Sequence, residues 1–327
     1  MIRIASLALV ALILATSIPA AAFECPGADT PDCIDRLVPV PDGLTVPDAN
    51  VRIFLPEGYG AEGNDRRYPV LYLLHGAGDY YKTWSENTDM YAFTRALDLI
   101  VVMPSSGGTC SGCGESGWYT DWKDGSRHWE SFHIQVLIPY IDSSFATLGD
   151  GHRAIAGLSM GGYGAMKYAA KYPGLFQGAA SFSGAVDIRH GAPANYVVFR
   201  LANPFLGTPD DRVWGNQVTE EETWRANNPA DLIENYKVKP LKILLATGNG
   251  VPGDKDLSPA SPADAPGLAG GMGIEHGVWQ MNVSFRQKLD AAGVGHADFF
   301  YGPGIHSWPY WQDALLWALP QLLSVVR

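Results

Sequence analysis

Six short runs dominated by apolar residues constrain this chain more than any other feature. Pro69–Leu74, Leu99–Met103, Arg153–Ala156, Ala179–Phe182, Lys242–Ala246 and Asp298–Tyr301 lack strict polar–apolar alternation. That is the pattern of strands covered on both faces. Val51–Leu55 is a shorter strand-like run ahead of them, and helix-like stretches fall at Gly161–Lys171, Trp279–Ala292 and Tyr310–Val326. Strand followed by helix, repeated, predicts an α/β fold: a mostly parallel, doubly wound sheet with helices on both faces. Pro, Gly and Asp concentrate between Gly250 and Gly273, so 251–272 reads as one long loop, either a lid or a plain insertion. With no internal repeat and no flexible linker, residues 23–327 read as a single domain.

The residues before that domain read as an export signal. Arg3 precedes the apolar run Ile4–Ile18, and Ala20-Ala21-Ala22 supplies small residues for cleavage, so 1–22 is expected to be a secretory signal peptide. Thr16, Ser17 and Pro19 break the run before it could span a bilayer, and no later segment is long and apolar enough for a stable membrane span. Four cysteines suit an oxidising compartment. Local disulfides, Cys25 with Cys33 and Cys110 with Cys113, are the expected pairing among three possible connectivities. The balance of 23 Lys plus Arg against 34 Asp plus Glu, a net charge of −11, gives nucleic acid no electrostatic footprint.

The chemistry centres on Gly157-Leu158-Ser159-Met160-Gly161. G-x-S-x-G alone is a weak signal, but here it follows an apolar run and opens a helix-like stretch, as a nucleophile elbow requires. Such a turn strains the serine and exposes its Oγ near a helix N-terminus, where partial positive charge favours a developing oxyanion. A serine hydroxyl needs a base, and the base an orienting acid. His306 stands between the last strand-like run and the C-terminal helix, where an α/β-hydrolase places its base, and activity is expected to rise as that base loses its proton. An acid directly after Lys242–Ala246 would be Asp254 or Asp256. Met160 N–H is the first oxyanion donor expected, and the loop His75-Gly76-Ala77-Gly78 should supply the second. His75 lies ahead of the serine and is expected to be structural or to contact substrate. No metal or cofactor is required, and the spacing of His128 and His133 does not favour a shared ion.

These blocks resemble a known family. Gly157-Leu158-Ser159-Met160-Gly161 with Gly162 looks like the elbow of the esterase D-like α/β-hydrolases. Val101-Val102-Met103-Pro104, Tyr119-Thr120-Asp121-Trp122, Trp129-Glu130, Gly248-Asn249-Gly250 and, most specifically, His306-Ser307-Trp308-Pro309-Tyr310-Trp311 resemble the secreted mycolyltransferases of the antigen 85 type. The resemblance runs in order from about Val51 to the C-terminus. It implies an α/β-hydrolase fold and an acyl-enzyme mechanism with Ser159 as nucleophile and His306 as base. The family's acid, a glutamate ahead of an Asn and a Phe, falls on Glu275 by its offsets to Asn282 and Phe285, and the second oxyanion donor falls on Ala77 N–H. Trp308 and His75 are the implied substrate contacts.

The transferases carry an acidic residue at the place of His75 and an arginine at that of Gly78, both tied to sugar-acceptor binding. Their loss here ranks carboxylic-ester hydrolysis first and acyl transfer to a sugar or glycerol lipid second. The expected partner is a small-molecule or lipid ester. A secreted binding protein, its 10 Trp and 15 Tyr forming stacking surfaces, is the alternative from another class. Oligomeric state is not written in the sequence.

Overall fold

The computed structural model describes residues 32–108, 115–191, 208, 210–257 and 265–327. Its eight-stranded sheet comprises β1 (Cys33–Leu37), β2 (Asn50–Phe54), β3 (Val70–Leu74), β4 (Ile100–Pro104), β5 (Arg153–Leu158), β6 (Gly178–Phe182), β7 (Lys242–Gly248) and β8 (His296–Gly302). The spatial order is β1-β2-β4-β3-β5-β6-β7-β8. The six predicted apolar runs are its parallel strands, whereas β1–β2 and β2–β4 pair antiparallel. β1 was not legible because it is an edge strand of mixed polarity, ending in the exposed Arg36 and Leu37.

Each central strand divides its side chains between two cores. Val70, Tyr72 and Leu74 of β3 enter one cluster while Leu71 and Leu73 enter the other; Ile243 and Leu245 of β7 oppose Leu244 and Ala246 in the same way. This period-two division of an apolar run is what helices on both faces require. The helices are α1 (Thr83–Asn87), α2 (Met90–Thr94), α3 (Trp129–Ser131), α4 (Ile138–Ser144), α5 (Met160–Lys171), α6 (Asp210–Trp214), α7 (Glu221–Asn227), α8 (Ala265–Ala292) and α9 (Trp308–Val326). A π-helical turn, Phe132–Leu137, joins α3 to α4. Tyr163 and Met166 of α5 pack with Met281, Phe285 and Leu289 of α8 on one face; Trp311, Leu315 and Leu322 of α9 cover the other with Trp84 of α1.

The expected loop over 251–272 is corrected here. Helix α8 starts at Ala265, so Met272 and Glu275 lie within it. Glycines at 267, 270, 271, 273 and 277 hide the helix, each weakening its intrinsic propensity by about 1 kcal/mol relative to alanine. Tertiary packing supplies what propensity lacks: Ile305 lies against Gly271, and Gly271 O accepts the His306 N–H at 3.1 Å. Residues 258–264 lie outside the described residues.

Residues 1–22, expected to be a signal segment, also lie outside the described residues, as do Cys25, Cys110 and Cys113; Cys33 is disulfide-bonded. Among the described residues, no helix is long and apolar enough to cross a membrane.

A buried lysine ties helix α5 to the segment before α3. Lys167 Nζ, fully buried, donates to Tyr119 O (2.6 Å), Thr120 Oγ1 (2.7 Å) and Glu130 Oε2 (2.8 Å). Burial pulls the Lys167 ammonium down to about 8 against the opposing pull of Glu130. Burial raises the Glu130 carboxyl, but Lys167 and Lys171 outweigh it and hold the group at about 2. Removing one member leaves the other charges buried with fewer partners, so Lys167→Met is expected to cost about 3 kcal/mol, read from the urea midpoint. Glu130 stabilises the fold above the ordinary glutamate range. That contribution should fade as pH falls from about 4.5 toward about 2.

Candidate active site

The elbow forms where β5 runs into α5. Ser159 is the helix N-cap and adopts φ +52, a left-handed conformation uncommon for a residue with a side chain. Its N–H donates to Phe182 O of β6 at 2.9 Å, and its carbonyl accepts Tyr163 N–H at 3.1 Å. Strand and helix come so close that a Cβ on Gly161 would stand 2.7 Å from His75 O, a contact only glycine avoids. The serine is partly exposed, while Leu158 and Met160 on either side are buried.

At the same end of the sheet, beside the ends of β7 and β8, Glu275 and His306 meet. His306 Nδ1 lies 2.7 Å from Glu275 Oε2, the carboxyl fully buried and the imidazole nearly so. Glu275 has only acceptors to offer, so the bond fixes the proton on Nδ1 and leaves Nε2 with its lone pair. Glu275 Oε1 accepts from Gly248 N–H (2.7 Å) and Ser183 Oγ (2.8 Å), with Thr247 Oγ1 at 3.0 Å and Tyr301 OH at 3.4 Å. Gly248 N–H is free for this because the β7–β8 ladder slips between Thr247 and Gly248. Asp256 is engaged elsewhere, accepting from Tyr310 OH at 2.7 Å and Gly253 N–H at 2.8 Å, and Asp254 is exposed. Neither reaches His306.

Ser183 links this pair to the serine. It follows β6, the strand beside β5, at φ +49, donates to Glu275 and accepts Trp311 Nε1–H at 3.2 Å. Trp311 in turn meets the His306 ring edge-on at 4.8 Å. Nucleophile, acid and base candidates thus share the C-terminal end of β5–β8, where open α/β sheets bind ligands. Among the described residues no hydrogen bond joins Ser159 Oγ to His306. Apo catalytic hydrogen bonds are often longer than those of the working complex.

The loop after β3 borders the serine. A carbon added to Gly76 would meet Ser159 Cβ at 3.6 Å, and Ala77 beside it is partly exposed. Among the described residues neither Ala77 N–H nor Met160 N–H donates to a protein acceptor. Gly78 takes φ +78 and donates its N–H to Ser116 Oγ at 3.0 Å, a position poorly suited to the transferases' arginine.

His75, expected as a structural or substrate-contacting residue, is placed for the structural role. It is 1% exposed; Nε2 accepts Ser106 N–H and Nδ1 lies on Gly76 O, both at 2.8 Å. With both nitrogens occupied it has none to offer a substrate, and burial drives its pKa down to about 4. Trp308 opens α9 and is partly exposed, packed edge-on against Trp84 (5.3 Å) and Trp311 (5.2 Å). His128 and His133 make separate bonds, His128 Nδ1 with Thr45 N–H and His133 with Tyr168 OH and Ser105 O. Sequence reasoning missed Ser183, Thr247 and Tyr301 as partners of Glu275. Only the serine directly after an apolar run gave any hint of one of them.

A strained serine at a strand–helix elbow, a buried Glu–His pair at the same sheet end and a mostly parallel sheet define the α/β-hydrolase fold and the class of serine esterases and related acyltransferases. The comparisons agree: residues 46–322 match the family described as "Putative esterase", and the chain belongs to that family. Esterase Rv1288 of Mycobacterium tuberculosis is 34% identical over 253 residues, 75% of this chain and 50% of the relative, so the chain spans about half the length of that protein. The diacylglycerol acyltransferase/mycolyltransferase Ag85C of Mycobacterium avium is 29% identical over 268 residues, 79% of this chain and 70% of the relative. Among solved structures, Mycobacterium tuberculosis MPT51 superposes with a TM-score of 0.68 at 21% identity, covering 90% of this chain and 99% of that one, a likeness of fold.

Proposed function

We propose that this chain is a secreted serine carboxylic-ester hydrolase working through an acyl-enzyme on Ser159. The observation that carries the reading is the 2.7 Å Glu275–His306 pair, its imidazole Nε2 left free at the sheet end that holds the strained serine. Ser159 Oγ attacks the ester carbonyl as His306 Nε2 takes its proton. The carbonyl oxygen, now negative, faces Met160 N–H and Ala77 N–H, each worth about 3 kcal/mol to the transition state. His306 then returns the proton to the departing alcohol. Water repeats the sequence on the acyl-enzyme, its proton passing to His306 and then to Ser159 as the acid leaves. Glu275 holds the productive tautomer throughout. Trp308, partly exposed at the start of α9, would contact the acyl or alcohol group. The start of the chain and the disulfide at Cys33 are consistent with export.

Acyl transfer to a sugar or glycerol lipid is the second reading, favoured by the 29% identity to a protein named diacylglycerol acyltransferase/mycolyltransferase. The loop residues at His75 and Gly78 weigh against a trehalose-like acceptor. Release of p-nitrophenol from acetyl, butyryl and long-chain esters tests both. Fast turnover of short esters supports hydrolysis; slow turnover confined to long chains moves the assignment to transfer. A fluorophosphonate should label the chain, and a pure binding protein would leave it unlabelled.

A further inference from the structure

The mechanism leaves one carboxyl beside the nucleophile unused. The turn after β3 closes with Asp79 N–H donating to Gly76 O at 3.3 Å, which folds Asp79 back over Gly76. A point one carbon off the Gly76 Cα lies 3.1 Å from Asp79 Oδ2 and 3.6 Å from Ser159 Cβ. The carboxyl and the nucleophile therefore flank the same glycine, in the loop that offers Ala77 N–H. Asp79 is partly exposed, whereas the buried carboxyls around the site and core are engaged: Glu130 with two lysines, Asp187 with Lys288 and Ser284, Asp48 with Ser105 and Asn50, Asp256 with Tyr310, Glu275 with His306. Among the described residues no side chain donates to Asp79 and no cation pairs with it. Only the backbone N–H of Gly76 favours its charged form. Its titratable neighbours are Glu86 of α1, a like charge, with Tyr119 and the neutral His75 on the adjoining segments. Burial, aided by Glu86 and opposed by Gly76 N–H, pushes the Asp79 carboxyl up to about 7.

We propose that Asp79 is a specificity-determining residue: it faces the bound ester and selects neutral or hydroxyl-bearing esters over those carrying an anionic group near the scissile bond. This rests on the esterase reading of Ser159. An ionised Asp79 repels a second carboxylate held a few ångströms away in a partly desolvated cleft, and it can accept a hydrogen bond from a substrate hydroxyl. Two substrate pairs probe the two sides of the ester. p-Nitrophenyl butyrate against mono-p-nitrophenyl succinate reports the acyl side, and phenyl acetate against para-acetoxybenzoate the alcohol side.

In the wild type the neutral-to-anionic ratio of kcat/KM should be about tenfold or more in at least one pair. It should also grow between about pH 6 and pH 8 as Asp79 ionises. Any titration of the base is common to both members of a pair and cancels in the ratio. Asp79→Asn should lower the ratio about tenfold and flatten its pH dependence. The wild-type pH series stands on its own if the variant folds poorly. A ratio that is flat with pH in both wild-type pairs, or unchanged in Asp79→Asn, overturns the assignment. Absence of Ser159-dependent turnover of all four esters would instead overturn the esterase reading, and this assignment with it.

Discussion

Ester turnover is expected to fall about a hundred-thousandfold or more when Ser159 is replaced by alanine, with the residual rate reflecting what the oxyanion donors and binding achieve alone. The loss should sit in kcat, since on the proposed mechanism the side chain removed carries the attacking atom and little of the binding surface. Alanine at φ +52 keeps the strain of the elbow without its purpose, so stability should change by no more than about 1 kcal/mol in either direction. Burst-phase release of p-nitrophenol checks the claim, because an acyl-enzyme requires the hydroxyl. Retention of more than about a hundredth of wild-type kcat/KM would remove Ser159 from the mechanism.

Glu275→Gln is the second large effect. Every neighbour of Oε1 and Oε2 is a hydrogen-bond donor, from Gly248 N–H through Ser183 Oγ to His306 Nδ1. A carboxamide must turn its NH2 either toward Gly248 and Ser183, where two donors would face each other, or toward His306. The second orientation forces the proton onto Nε2, the atom that receives the Ser159 proton in the proposed mechanism. A loss of about ten-thousandfold in kcat follows from that wrong tautomer, with fluorophosphonate labelling slowed in parallel. Asp256→Asn serves as the contrast: Asp256 bonds Tyr310 rather than His306, so its loss should weaken local packing without inverting the tautomer. If the Asp256 variant lost activity and Glu275→Gln did not, the acid would have to be reassigned.

The parts of this site legible in the sequence are those set by local physics. Ser159 announced itself because an elbow needs glycines where backbones touch, and Gly161 against His75 O is such a contact. His306 was placed by the order of elements. Glu275 needed the family's offsets, since its helix is masked by five glycines between 267 and 277 and is held helical by contacts from Ile305 and His306. Ser183, Thr247 and Tyr301 act on Glu275 from three strands, a convergence no single window contains. The burial of His75 was hidden for a related reason: its partner Ser106 N–H comes from beyond β4, the strand that pairs with β3.

The sheet order carries a consequence for how the enzyme comes into being. Strands β5 to β8 lie side by side in the order they are made, and their parallel pairing brings Ser159, Ser183, Gly248, Tyr301 and His306 to one end of the sheet. The loop with Ala77 arrives by another route, because β3 must settle between β4 and β5 rather than beside its predecessor. The part of the centre built on β5–β8, Met160 N–H included, can therefore assemble as one cooperative unit, while the loop with Ala77 waits on the pairing of β3 with β5, distant in the chain. During refolding, recovery of helical signal should run ahead of recovery of catalysis, and the interval between them is the time β3 takes to settle between β4 and β5.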